Sequence, residues 1–99
     1  MILEVATLDV IPGREQEFEQ TFVEAQKIIS SMPGYVSHEL RRCVEHSSRY
    51  ALFVNWERIE DHTDGFRNSA EYQQWRALLH HFYDPPPQVE HYVAVSDPG

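Results

Sequence analysis

Four of the six histidines of this chain, His62, His80, His81 and His91, fall between Asn55 and Tyr92, a stretch that also holds both tryptophans, Trp56 and Trp75. Imidazole has an ordinary pKa of about 6.5, so it is the side chain best matched to taking up and returning a proton near neutrality. Flat aromatic walls around such a group make a water-poor pocket for a small organic ligand. His62 stands four residues before Phe66, the spacing that places two side chains on one face of a helical turn, and it is the first candidate for a base. Its neighbours Glu60, Asp61 and Asp64 also fit a solvated surface histidine. His91 alternates with Val89, Val93 and Val95, so on a strand it shares an apolar face. It reads either as a hydrogen-bonded core or interface histidine or as a second base or proton relay. His38, between Val36 and Leu40, carries the same two readings.

Arg67, beside Phe66, has the charge to stabilise an anion, or else to pair with Asp64 or Glu71. Asn55, next to Trp56, can orient a substrate oxygen or pair across a subunit boundary. Trp56, Phe66, Tyr72, Trp75 and Phe82 are the candidate walls; helix-sheet core is the competing role, above all for Trp56 and Phe82. Adjacent His80 and His81 point about 100° apart on a helix and suit its C-terminal end, where the dipole favours positive charge. No His-x-x-x-His or Glu-x-x-His spacing falls on an expected helix, so no metal site is expected.

A chain of 99 residues makes a single domain covering residues 1–99. At this size folding buries only roughly 60–70% of the surface an unfolded chain exposes, so a broad sheet face needs a cover, and a second copy supplies one. Sixteen acidic residues against eight basic ones give a net charge of −8, unsuited to nucleic-acid backbones or anionic membranes. Cys43 is the single cysteine and has no internal disulfide partner, which fits a reducing cytoplasm. Glu4 and Asp9 interrupt the first apolar run, so no secretory leader is expected, and no segment approaches the ~20 apolar residues of a membrane span.

Elements that would position these groups are legible in order. Ile2 to Ile11 is a strand closed by Pro12-Gly13, with apolar residues on both parities and hence both faces covered. Phe18, Phe22, Ala25, Ile29 and Met32 lie at helical spacing between Arg14 and Met32, and Pro33-Gly34 ends that helix. Tyr35–Val44 and Arg49–Glu57 alternate as strands and form a hairpin, with Val36, His38, Leu40 and Arg42 on one face of the first. Ile59–Gly65 is a short helical turn, and Ser69 caps a second long helix with the stripe Tyr72, Trp75, Leu78, Leu79 and Phe82. After Pro85-Pro86-Pro87 the last strand carries Val89, His91, Val93 and Val95. The order βαββαβ is the ferredoxin-like α+β arrangement, with an antiparallel sheet covered by helices on one face. Pairing of two such sheets gives the expected dimeric α+β barrel.

Several of these motifs together resemble the antibiotic biosynthesis monooxygenase family. They are Pro12-Gly13 before the Phe18/Phe22 helix, Pro33-Gly34-Tyr35 opening the second strand, Arg49-Tyr50 leading to Trp56, and Phe66-Arg67-Asn68-Ser69 ahead of Trp75. The resemblance runs from Ile2 to Val95 and is more specific for fold than for chemistry. It implies cofactor-free oxygenation of a small aromatic or quinol by a homodimer; for that chemistry the residues read above offer His62 and His91 as catalytic candidates and Arg67 to stabilise a phenolate or superoxide-like anion. The family's haem-degrading branch has an asparagine on the first strand, a tryptophan before the second long helix and an iron-binding histidine on that helix. Those places hold Ala6, Phe66 and Trp75, so haem chemistry is disfavoured. A non-catalytic dimer that binds a small ligand is the alternative. An isomerase acting on a sugar-like substrate would want more basic residues than Arg58, Arg67 and Arg76 provide.

Overall fold

A computed structural model of the protein describes residues 1–96. Strand β1 spans Ile2–Asp9, helix α1 Glu15–Ile29, strand β2 Tyr35–Arg42 and strand β3 Arg49–Trp56. A π-helical turn over Asp61–Phe66 leads to helix α2, Ala70–Leu79, and strand β4 is Gln88–Tyr92. The four strands form one antiparallel sheet in the order β2-β3-β1-β4, so the ferredoxin-like expectation holds.

Each helix buries the stripe its spacing predicts. Phe18, Phe22, Ala25 and Ile29 of α1 and Trp75 and Leu79 of α2 pack on Ala6, Leu8, Val10, Tyr50, Leu52, Val54 and Trp56 of the sheet. Ser69 caps α2 by accepting the Tyr72 N–H at 3.0 Å, which satisfies one of the donors a helix start leaves unpaired. Helix α2 stops at Leu79, and a 3-10 turn over His80–Phe82 tucks Phe82 into the core against Phe18. The opposite sheet face carries Leu3, Val5, Ala51 and Phe53, all only half-buried.

Three strand expectations need correction. A bulge between Tyr35 and Ser37 pairs Tyr35 with Trp56 and Ser37 with Asn55. The extra residue switches parity, so Tyr35 joins His38 and Leu40 on the helix side and Val36 is exposed. The last strand ends at Tyr92, not Val95. Tyr92 pairs with Leu3 as the last rung of the ladder, and Val93 and Val95 beyond it are exposed. Similarly, β2 stops at Arg42, leaving Val44 exposed.

Candidate active site

Between the helix-facing side of the sheet and α2 lies a cavity of about 370 Å³. Its size falls near the lower end of small-molecule sites, roughly 300–1,000 Å³. Glu4, Ala6 and Leu8 of β1 and Val89 of β4 form the floor; Phe66, Tyr72 and Trp75 form an aromatic wall. Phe66 meets Tyr72 and Trp75 edge-on, at 5.2 and 5.7 Å between ring centres, an arrangement that suits the ring quadrupoles. Arg67, Arg76 and His80 bring positive or titratable groups to the same space, and Pro86 and Pro87 border it.

At one end of the cavity stands a buried polar cluster drawn from four elements. His62 is 3% exposed, stacked on Trp56 with ring centres 5.5 Å apart and planes 19° from parallel. Its Nδ1 is 2.8 Å from Nε2 of His91, and its Nε2 is 3.4 Å from Oε1 of Glu4. The Trp56 indole N–H donates to the same Glu4 oxygen at 2.9 Å. Glu4 and His91 are direct cross-strand neighbours of β1 and β4, which is why a group from each end of the chain meets here. Both ring nitrogens of His62 thus face protein groups, Nδ1 within hydrogen-bond distance and Nε2 at a longer 3.4 Å. With Glu4 ionised, His62 Nε2–H points to the carboxylate, and its Nδ1 must accept from the Nε2–H of His91.

The electrostatics follow from burial. Loss of water pushes the Glu4 carboxyl up, against the downward pull of the Trp56 hydrogen bond and the Arg67 charge. The same loss, together with Arg67 and His91, brings His62 down to about 3, so its ring is neutral at pH 7. Burial and then Arg67 lower His91. Burial also lowers His38 and His80.

In the unfolded chain these four histidines take protons near their ordinary pKa, whereas the folded protein resists protonation to lower pH. Stability is therefore complete above about pH 6.5 and declines on acidification, over a range that reaches pH 3 for His62. His62 contributes a slope of at most ~1.4 kcal/mol per pH unit. The more exposed histidines add less, because solvent screens them. Glu4 acts in the opposite sense, since its raised pKa stabilises the fold at low pH and loses that contribution as the pH rises through it. Urea unfolding at pH 7.5, 6.5 and 5.5 is expected to show decreasing free energy, and a flat profile would contradict this assignment.

The structure brings His62, Phe66, Arg67, Tyr72 and Trp75 together around the cavity, with His91 and Trp56 directly behind His62. Asn55 lies elsewhere. Strand parity turns it to the opposite sheet face, where its Nδ2 donates to Ser37 Oγ at 3.1 Å. Phe82 is also outside the lining and packs fully buried against Phe18 and under the Arg14 guanidinium. Arg67 is exposed and makes no ion pair among the described residues, so neither Asp64 nor Glu71 neutralises it. His38 is satisfied by the Tyr35 hydroxyl at 2.5 Å and Gln26 Oε1 at 3.0 Å, which is a structural role. Glu4 escaped sequence reasoning altogether. The available signal was an acid on the same parity as Ile2, Ala6, Leu8 and Val10. Among the described residues no three His, Cys, Asp or Glu side chains converge as metal ligands do, and no helix is long and apolar enough to cross a membrane.

Comparison with known proteins agrees with this architecture. The family model of antibiotic biosynthesis monooxygenases matches residues 1–78. The Bacillus subtilis (strain 168) protein YczJ, described as uncharacterized, is 54% identical over 95 residues, which cover 96% of this chain and all of YczJ. A crystal structure from Bordetella bronchiseptica, named for the same family, superposes with a TM-score of 0.92 at 38% identity, covering 96% of this chain and 97% of that one. SnoaB, a cofactor-independent oxygenase from Streptomyces nogalater, superposes with a TM-score of 0.83 at 18% identity over 97% of this chain and 94% of its own, a likeness of fold. With the matched model spanning most of the chain and the Bordetella structure aligned nearly end to end, this protein belongs to the antibiotic biosynthesis monooxygenase family.

Proposed function

We propose that the protein is a cofactor-independent monooxygenase acting on a small aromatic or quinol substrate held in the cavity between sheet and helices. The observation that carries this reading is the aromatic-walled cavity with a buried titratable cluster at one end and the unpaired Arg67 at its edge. In such chemistry a protein base takes the phenolic proton, and the electron-rich anion passes one electron to dioxygen. The radical pair recombines with formation of a carbon–oxygen bond, and the peroxide takes up the proton that the base holds. The base then removes the proton from that carbon, a carbonyl forms as the O–O bond breaks, and the departing hydroxide leaves as water with the returned proton. Atoms balance as substrate plus O2 giving the quinone and one water. His62 and His91 belong to the buried polar cluster that serves this proton transfer, and Arg67 stabilises the anions. Such a protein works as a soluble cytoplasmic homodimer in which a second copy covers the Leu3, Val5, Ala51 and Phe53 face.

Oxygen uptake tests this reading. Protein freed of metal and flavin is expected to consume oxygen with a member of a panel of hydroquinones, naphthoquinols and anthrones, and His62→Ala or His91→Ala to lose that activity. The pairing of His62 Nδ1 with His91 and the approach of its Nε2 to Glu4 favour a second reading, a small-ligand-binding dimer without turnover. Uptake no faster than autoxidation across the panel would reject the first reading in favour of the second.

A further inference from the structure

Glu4 stands with one carboxylate oxygen hydrogen-bonded and the other without a partner among the described residues. Oε1 receives Trp56 Nε1–H and faces His62 Nε2, whereas Oε2 has no hydrogen-bond partner among the described residues. No buried side-chain oxygen or nitrogen among those residues lacks a partner, and Glu4 lines the cavity, so Oε2 is reached from the cavity itself. His62 has its Nδ1 paired with His91, and its Nε2 turns toward Glu4 Oε1 at 3.4 Å. From this geometry we propose that Glu4 Oε2 is the atom that takes the substrate's hydroxyl proton, and that His62, propped by His91, is a positioning residue. The ligand class is a phenol or enol whose O–H donates to Oε2.

The carboxylate accepts the hydroxyl proton, becoming a neutral acid while the substrate becomes an anion beside Arg67. Oε1 keeps its two contacts in both protonation states, so no tautomer has to change at His62 or His91. The proton stays on Glu4 until it is returned to the peroxide, and a second cycle serves the carbon proton and the departing hydroxide. No proton need reach solvent. Burial, which raises the Glu4 pKa, makes the carboxylate a stronger base than an exposed one.

The chemical role rests on the oxygenase reading, but the recognition of a hydroxyl does not, and two measurements separate them. Glu4→Gln preserves volume and an acceptor for Trp56 and His62 but cannot take a proton. It is expected to lower oxygen uptake at least a hundredfold on whichever quinol the wild type oxidises. In the second measurement, binding of 2-naphthol and of its methyl ether is followed by quenching of tryptophan fluorescence. The wild type is expected to prefer the naphthol about tenfold and Glu4→Gln to lose the preference. Retention of uptake within tenfold in Glu4→Gln overturns the proposal and leaves oxygenation standing. An unchanged naphthol preference in the variant overturns it as well. A preference lost in the variant, with no wild-type uptake on any quinol, supports hydroxyl recognition by Glu4 while rejecting the oxygenase reading. Should Glu4→Gln fail to fold by circular dichroism, wild-type protein with 13C-labelled glutamate decides. Naphthol, and not the ether, must then shift the Glu4 carboxyl resonance.

Discussion

Trp56→Ala is expected to destabilise the protein by about 3–5 kcal/mol, the cost typical of removing a fully buried large aromatic. Trp56 is wholly inaccessible and touches Tyr35, His62 and Phe66, so its removal leaves a cavity bordered by β2 and the π-helical turn. It also takes away the only N–H that bonds Glu4 Oε1 at 2.9 Å among the described residues, and an under-satisfied buried acceptor costs a further ~1–3 kcal/mol. For a domain of about 100 residues each kcal/mol moves the melting temperature by ~4–8 °C, so a fall of roughly 12 °C or more is expected by circular dichroism. Trp56→Phe separates the two contributions. It keeps a ring against His62 and loses the indole donor, so a smaller loss, about 1–3 kcal/mol, is expected. A fall of only a few degrees for Trp56→Ala would show that the sheet end is not anchored by this side chain.

Arg67→Met should have the reverse profile. Arg67 is exposed and unpaired among the described residues, so stability is expected to stay within ~0.5 kcal/mol. Its charge nevertheless reaches the buried cluster, holding Glu4 down and pushing His62 and His91 down. Without it, the pKa of Glu4 rises further and those of both histidines rise too. Under the oxygenase reading the anion formed beside residue 67 loses its counter-charge. Removal of a well-buried oxyanion donor costs about 10²–10³ in kcat. Solvent screening at an exposed guanidinium reduces that to about ten- to a hundredfold here. Oxygen-uptake kinetics on the variant check this against its melting curve, and an unchanged kcat would remove Arg67 from the site.

Local patterns along the chain read well because they depend on near neighbours. The 3.6-residue spacing of Phe18, Phe22, Ala25 and Ile29 names the buried face of α1, and Ser69 marks the start of α2. His62 and Phe66 share a helical turn and both are buried, as their spacing allows. Alternation was less dependable. One extra residue at Val36 inverts the parity of the β2 start, and nothing in the composition of Tyr35-Val36-Ser37 announces it. In β3 alternation held, setting Asn55 on the face opposite Trp56, and it is the site role given to Asn55 that fails.

By itself, then, the sequence determined the order of elements, the apolar face of each helix and the aromatic character of the cavity wall, since each is written in spacings of a few residues. Tertiary structure alone decided the chemistry at the cavity's end. Residues 4, 56, 62 and 91 meet only because the strand order places β1 between β3 and β4, with Glu4 opposite His91. Register, not composition, makes that acid a buried neighbour of two imidazoles, and burial then moves its proton affinity upward and theirs downward.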